Sequence, residues 1–194
     1  MIKGIDPGGF TIKRAASQLT CVDIQTRLSG AMQTPERVIG RAEVLLKAAE
    51  ILAVPVLISE QYPKGLGATE PAILAAAPSA IVLEKTEFSC ARNDAISNAI
   101  GELVKDFCTQ IIICGMETHV CVAQTALDLA AAGHDVFVVS DAVTSRRQSD
   151  IDAALARFRH CGVHVVTSEM VIFEWLETAR SVEFKAISEL IRPL

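Results

Sequence analysis

Cys121 is the residue of this sequence whose position best suits nucleophilic chemistry. It lies in the segment GMETHVCV, between the apolar run QIIIC and the helical pattern AQTALDLAAAG. A cysteine at the start of a helix feels the positive end of the helix dipole, which favours thiolate over thiol. The unpaired backbone N–H groups at such a place are also suited to hold an oxyanion. From position alone a second interpretation stays open, in which Cys121 is a buried packing residue, as most free cysteines are.

Asp23 and Lys85 are two charged residues that follow apolar runs. Asp23 lies near the end of LTCVDI, and Lys85 follows AIVLE. A charge buried at such a place needs a partner. Together with Cys121 they would supply a nucleophile, a proton acceptor and a cation that holds both anions in place. Taken singly, Asp23 is also compatible with a turn cap, and Lys85 with a solvated strand end.

Six apolar runs alternate with helical patterns along the chain. The strands and helices that they predict would hold Asp23, Lys85 and Cys121 in place. The pattern predicts strands at 19–24, 54–59, 80–83, 110–114, 135–140 and 163–167. It predicts helices at 35–52, 94–105, 122–132, 149–160, 168–178 and 181–191. The alternation is typical of an α/β protein, here a single-domain, Rossmann-like three-layer fold in which a six-stranded, mostly parallel sheet has helices on both faces.

In such a sheet, ligands bind beyond the carboxyl ends of the strands. Asp23, Glu60, Lys85 and residues 115–121 all lie at the carboxyl ends of predicted strands, so we expect them to meet at one edge of the sheet. Residues 1–17 are predicted to form an N-terminal arm, and residues 18–194 the single domain. Residues 60–71, with two prolines and two glycines, are expected to form the longest loop.

Composition limits the classes of partner. A net charge of -5 argues against nucleic acid, because binding to it requires clustered Lys and Arg. The six cysteines show no CxxC pair and no zinc-type spacing with histidine. We also expect no secretory leader and no membrane span, because neither the pattern of a leader nor a run of eighteen apolar residues is visible. The sequence therefore predicts a cytoplasmic protein with reduced thiols and a small-molecule substrate.

Three separated motifs resemble those of the isochorismatase-like cysteine hydrolases. They are residues 23–25 (DIQ), 84–89 (EKTEFS) and 115–122 (GMETHVCV). The similarity runs in order along nearly the whole chain and includes residues 140–143 (SDAV) after the fifth predicted strand. Residues 60–67 (EQYPKGLG) resemble a subgroup of that family whose natural substrates are mostly unassigned.

The resemblance implies a hydrolase that works through a thioester acyl-enzyme. Asp23 would be the base, Lys85 its electrostatic partner and Cys121 the nucleophile. The N–H groups of Glu117 and Cys121 would form the oxyanion hole, next to a cis peptide between Met116 and Glu117. The family often forms oligomers, and the Ala-rich composition and apolar C-terminal helices agree with a homo-oligomer. Trp175, in this region, is interpreted as a core or subunit-contact residue.

Six further residues are predicted to contact substrate at this edge of the sheet: Gln25, Glu60, Gln61, Tyr62, Phe88 and His119. An ordinary loop or packing role remains the alternative for each of them. His119 is not expected to act as the base, because residues i and i+2 do not share a helix face.

Two departures from the family narrow the expected activity. Nicotinamidases of the family carry an Asp-x-His metal motif after the second strand, where this sequence reads SEQY at residues 59–62. We therefore predict no metal or other cofactor there, which argues against nicotinamidase activity. The true isochorismatases do not depend on a cysteine at position 121 and cleave a vinyl ether without acylating the enzyme, so retention of Cys121 favours an amide or related C–N bond.

Two alternatives stay open. In the first, Asp23 is the general acid of an isochorismatase-type ether cleavage that has no covalent step. In the second, the chain is a small-molecule binding or scaffold protein without turnover.

Overall fold

The computed structural model describes residues 11–192, so residues 1–10 of the predicted N-terminal arm and the last two residues of the chain lie outside the described residues. Within the described part, six strands form one sheet. They are β1 (Ser17–Val22), β2 (Val56–Gln61), β3 (Ile81–Lys85), β4 (Gln110–Met116), β5 (Asp135–Thr144) and β6 (His164–Val166).

The sheet has the order β3-β2-β1-β4-β5-β6, and every pair of neighbouring strands is parallel. This is the order of the Rossmann fold, in which the direction of winding reverses between β1 and β4. The carboxyl ends of these two strands therefore border a crevice. Asp23 follows β1, and the segment with Cys121 follows β4, so the topology brings them to the same place.

Helices cover both faces of the sheet. They are α1 (Thr26–Ser29), α2 (Pro35–Ile51), α3 (Pro63–Leu66), α4 (Pro71–Ala76), α5 (Asp94–Lys105), α6 (Ala123–Ala131), α7 (Gln148–His160), α8 (Ser168–Leu176) and α9 (Phe184–Ile191). Short 3-10 turns lie at Arg14–Ala16 and Cys90–Arg92, and a π-helical turn at Thr118–Val122 leads into α6. Local sequence explains several starts: prolines begin α2, α3 and α4, and Asn93 caps α5 by accepting from the Ile96 N–H.

The two faces of the sheet bury separate cores because side chains alternate along a strand. On β4, Ile112 and Cys114 belong to the core on the side of α2, α8 and α9, whereas Ile111 and Ile113 belong to the core on the side of α5, α6 and α7. Trp175 is buried in the first of these, and its indole N–H donates to Ser17 Oγ at 2.9 Å. One of the two roles predicted for Trp175, that of a core residue, is confirmed.

The predicted α/β fold is confirmed, and the sheet is parallel throughout rather than mostly parallel. β3 continues through Lys85 and β5 through Thr144, because main-chain pairing with the neighbouring strand continues past the apolar run. Residues 60–71 are not one loop, since β2 continues through Gln61 and α3 and α4 follow. These short elements lack the long periodic pattern by which helices are recognised.

Candidate active site

The centre of the candidate site is an ion pair between Asp23 and Lys85. Lys85 Nζ lies 2.6 Å from Asp23 Oδ2, and neither side chain has any exposed surface. Asp23 has a φ of 51°, a left-handed conformation that is uncommon in residues other than glycine and recurs at functional sites. The two residues belong to the ends of β1 and β3, and β2 lies between them.

Lys85 has an acceptor for each of its three N–H donors. Besides Asp23, these are Gln61 Oε1 at 2.7 Å and the Phe88 carbonyl oxygen at 3.3 Å. Burial by itself would lower the pKa of Lys85, but the negative charge of Asp23 and the neighbouring thiols raise it overall. Lys85 is therefore a fixed cation at neutral pH. It donates hydrogen bonds but does not transfer a proton to the substrate.

The second oxygen of the Asp23 carboxylate is also occupied. Ser59 Oγ donates to Asp23 Oδ1 at 2.7 Å, and the Cys121 thiol lies close enough for its charge state to be coupled to that of the carboxylate. Burial raises the pKa of Asp23, whereas Lys85, Ser59 and Cys121 all lower it, and the net direction is upward. Asp23 is thus a carboxylate with more affinity for a proton than an exposed aspartate.

Cys121 lies in the π-helical turn with only 5% of its surface exposed. Burial raises the pKa of its thiol, the negative charge of Asp23 raises it further, and Lys85 opposes both. The raised pKa favours the thiol over the thiolate expected from a helix start, because burial and the charge of Asp23 both disfavour a second anion here. The thiol needs a base at the moment of attack, and Asp23 is beside it.

The turn between β4 and Cys121 depends on Gly115. Its φ of 129° disfavours any side chain, and a Cβ atom there would lie 2.0 Å from the Val22 carbonyl oxygen. One residue further along, the peptide bond between Met116 and Glu117 is cis. The Glu117 side chain is fixed by Arg146, whose Nε lies 2.9 Å from Glu117 Oε2. Of the predicted oxyanion-hole residues, Glu117 thus directly precedes the π-helical turn and Cys121 lies within it.

Gln25 and Glu60 brace the chain around α3 rather than face open space. The fully buried Gln25 amide donates to the carbonyl oxygens of Gln61 and Gly67 and accepts from the Gln61 N–H. Glu60 Oε1 accepts from both the N–H and the hydroxyl of Thr69 at 2.7 Å. We infer that both side chains position this segment. Gln61 likewise contacts Lys85.

Tyr62 and Phe88 remain at the surface, each with 55% exposure. A cavity of about 340 Å³ lies beside Tyr62 and the end of β3; we call it the Lys85 cavity, and its lining comprises Tyr62, Pro63, Lys64, Glu84, Lys85, Thr86 and Asn93. A larger cavity of about 730 Å³ lies near Ser17 and Trp175, at the amino end of β1, and is remote from this chemistry.

His119 contacts the residue that follows β5 and the first turn of α7. Its Nδ1 lies 2.9 Å from Ser145 Oγ, and its Nε2 lies 3.8 Å from Asp150 Oδ2. Together with Arg146 and Arg147 it lines a separate polar cavity of about 320 Å³. This loop after β5 was not predicted to contribute to the site, although the sequence places two adjacent arginines, Arg146 and Arg147, after an apolar strand.

Two other structural observations concern cofactors and membranes. In residues 11–192, no three His, Cys, Asp or Glu side chains converge as metal ligands would, and Glu60 and Gln61 are engaged with Thr69, Lys85 and Thr86. Over the same residues, no helix combines the length and apolar character required to cross a bilayer.

The fold and the residues at its switch point together define a Rossmann-like α/β protein with a buried Cys, Asp and Lys cluster at the carboxyl edge of the sheet. The family model described as the isochorismatase domain matches residues 17–170. The chain belongs to the isochorismatase-like hydrolase family, which confirms the family predicted from its motifs.

Relatives in other organisms agree with this assignment. Isochorismatase domain-containing protein 1 of Danio rerio is 36% identical over 178 residues, which are 92% of this chain and 62% of the zebrafish protein. The chain thus spans less than two thirds of that relative. The solved structure described as MAR1 ribonuclease from Caenorhabditis elegans has a TM-score of 0.87 and 32% identity, over 94% of this chain and 92% of the other.

A more distant structure shows the fold alone. The YcaC gene product of Escherichia coli has a TM-score of 0.87 at 23% identity, over 94% of this chain and 89% of its own. It is described as an octameric hydrolase of unknown specificity.

Proposed function

We propose that the chain is a cysteine-dependent hydrolase that cleaves an amide or related C–N bond of a small-molecule carbonyl substrate. The observation that supports this best is the arrangement around Asp23. Its carboxylate is fixed by Lys85 and Ser59, and the Cys121 thiol is close enough for the charge of Asp23 to raise its pKa. A nucleophile, a base and a cation that orients the base are the parts that covalent catalysis at a carbonyl requires.

The first half-reaction forms a thioester. Asp23 takes the thiol proton as the Cys121 sulfur bonds to the carbonyl carbon, and the N–H groups of Glu117 and Cys121 stabilise the resulting oxyanion. The tetrahedral intermediate then collapses. Asp23 returns its proton to the nitrogen of the leaving group, the C–N bond breaks, and the acyl group remains on Cys121.

The second half-reaction releases the acid. Asp23, ionised again, removes a proton from a water molecule whose oxygen attacks the thioester carbon. When the C–S bond breaks, the sulfur takes the proton back from Asp23. Lys85 stays charged throughout, since its three donors are in hydrogen bonds, and it keeps the buried carboxylate oriented.

The Lys85 cavity supports a small substrate. Its volume of about 340 Å³ lies at the low end of the range of small-molecule sites. Tyr62, which lines it and is exposed, offers a ring surface for an apolar part of such a molecule.

The proposal is tested by trapping the acyl-enzyme. The protein is incubated with a panel of small amides, quenched in acid and digested, and the masses of the six cysteine peptides are compared. We expect an acyl increment on the Cys121 peptide and none on that of Cys161, which is free and exposed. Turnover without any adduct on Cys121, under conditions in which Cys121→Ser is fully active, would contradict a covalent mechanism.

One observation favours the ether-cleavage alternative. The raised pKa of Asp23 also suits a general acid that protonates a leaving oxygen. In that reaction Cys121 is dispensable and no adduct forms, so the same experiment separates the two mechanisms. If a small ligand binds tightly but gives neither an adduct nor turnover, the result would support a protein that only binds.

The ribonuclease name of the C. elegans relative is not extended to this chain. A net charge of -5 and a buried site suit a polyanion poorly. Incubation with single- and double-stranded RNA should leave the substrate intact; cleavage that is lost in Cys121→Ser would overturn this part of the proposal.

We further propose a cytoplasmic homo-oligomer. All six cysteines are free, as is common in a reducing compartment. Met170 and Phe173 on α8 are about half exposed, which leaves apolar surface for a second copy. Light scattering of the purified protein tests the assembly, and a monomer at micromolar concentration would contradict it.

A further inference from the structure

We propose that Ser59 is a positioning residue for the Asp23 carboxylate, and that the Cys90 thiol fixes the direction in which the Ser59 hydroxyl donates. This inference rests on the proposed role of Asp23 as the base. Neither Ser59 nor Cys90 belongs to the predicted catalytic set.

Ser59 lies on the strand between the two that supply the ion pair. In the sheet it pairs with Val22 of β1 on one side and with Leu83 of β3 on the other. The Asp23 N–H donates to the Ser59 carbonyl oxygen at 3.1 Å, and Ser59 Oγ lies 2.7 Å from Asp23 Oδ1. Main chain and side chain of one residue thus both fix Asp23, and the side chain binds the carboxylate oxygen that Lys85 does not.

The direction of the Ser59 hydroxyl is set by its second neighbour. Cys90 Sγ lies 3.5 Å from Ser59 Oγ, and an ionised carboxylate has no proton to give. The hydrogen bonds therefore run from the Cys90 thiol to Ser59 and from Ser59 to Asp23. Cys90 is itself fixed, because its N–H donates to Thr125 Oγ1 at 2.9 Å, and all three residues are fully buried.

This relay keeps Asp23 ionised and oriented toward Cys121. The charged or titratable groups around Asp23 are Lys85 from β3, Cys121 from the π-helical turn, Cys90 from the 3-10 turn and Cys21 from β1. Of these, only Lys85 is a cation. Since burial raises the pKa of Asp23 and Ser59 lowers it, loss of the hydroxyl should raise it further.

The test measures alkylation of Cys121 by iodoacetamide from pH 4 to 10, with the peptide of exposed Cys161 as an internal reference. In the wild type, the rate rises at acid pH as the coupled pair of Asp23 and Cys121 loses its first proton. In Ser59→Ala this rise should move upward by about one pH unit, as loss of a hydrogen bond to a charged acceptor predicts. Ser59→Thr, which keeps the hydroxyl, should restore the wild-type profile.

Ser168→Ala is the matched control. Ser168 is also buried, and its hydroxyl donates to an aspartate carboxylate at the same distance, 2.7 Å to Asp141 Oδ2, but in another part of the fold. This variant should keep the wild-type profile even if it melts at a lower temperature. A Ser59→Ala profile that coincides with the wild type would overturn the proposal.

Cys90→Ala provides a second measurement if Ser59→Ala does not fold. Without the thiol, the hydroxyl of Ser59 is free to turn away from Asp23, so the acid rise should shift in the same direction by a smaller amount. An unchanged profile would overturn the relay. The readout needs no substrate: the absence of any acyl adduct would reject the hydrolase while the alkylation profiles still decide the role of Ser59.

Discussion

The Lys85 ammonium and the Asp23 carboxylate are 2.6 Å apart at a place where neither side chain is exposed. A buried ion pair contributes little net stability, but removal of one partner is costly because it leaves the other charge unpaired. The pair is thus more readily explained by chemistry at the adjacent thiol than by stabilisation of the fold.

Replacement of Lys85 should destabilise the fold in a pH-dependent way. Lys85→Met leaves the Asp23 carboxylate buried without its cation, at a cost of about 3–5 kcal/mol in the free energy of unfolding at neutral pH. An aspartate whose folded-state pKa is raised contributes stability at low pH that is lost as the pH rises through that pKa. The variant should therefore be relatively more stable at pH 5 than at pH 8 in urea denaturation. The double variant with Asp23→Asn should regain much of the loss, and equal losses in both would contradict the pairing.

Replacement of Asp23 should separate thiol ionisation from catalysis. In Asp23→Asn the pKa of the Cys121 thiol should fall, because the negative charge of Asp23 helps to raise it. Turnover should nevertheless fall by about 10²-fold or more, since no base remains. Alkylation profiles and steady-state rates on the same preparations test both parts. Asp141→Asn is the control, and it should change neither quantity.

Replacement of Cys121 should remove covalent chemistry. Cys121→Ser and Cys121→Ala are each expected to reduce turnover by about 10³-fold or more. Folding should be retained, because each replacement changes the volume of only one small side chain. Cys161→Ser, at an exposed position, is the control and should be as active as the wild type. Substantial residual activity in Cys121→Ala would favour the ether-cleavage mechanism.

Gly115→Ala should disrupt the turn that presents Cys121. The added methyl group would collide with the Val22 carbonyl oxygen, so β1 and β4 would have to separate next to Asp23. We expect a loss of more than about 3 kcal/mol in stability, in the range of overpacked or strained core sites. Gly133 also has a positive φ, but a Cβ atom there meets nothing within 4 Å. Gly133→Ala should therefore lower the free energy of unfolding by only about 1 kcal/mol. Similar melting temperatures for the two would contradict the steric explanation.

Loss of the Gln25 amide should loosen the segment around α3. Gln25→Leu removes hydrogen bonds to Gln61 and Gly67 and leaves buried main-chain groups unpaired, at about 1–3 kcal/mol for each such group. Limited proteolysis should then cut within residues 62–70 faster than in the wild type. Gln148→Leu, an exposed position on α7, is the control. An unchanged cleavage pattern would mean that the bracing is unimportant.

Periodicity alone predicted most of the fold. Alternation of apolar strands with helical patterns requires no knowledge of distant contacts, which explains why the six strands and the order of the long helices were recovered. The ends of β3 and β5 were wrong by a few residues, because pairing with neighbouring strands decides where a strand stops. The short helices α3 and α4 were missed for want of a repeated pattern.

Asp23, Lys85 and Cys121 could be selected from sequence because each is a chemically capable residue at the carboxyl end of an apolar strand or in the segment that follows it, and parallel strands end at one edge. The roles of Ser59, Cys90, Gln25 and Glu60 could not, because they depend on which side chains meet across strands that are distant in sequence. Only the tertiary structure decided the direction of the Cys121 pKa. The helix dipole is a local property that the sequence indicates, whereas desolvation and the charges of Asp23 and Lys85 arise only when the chain has folded around the thiol.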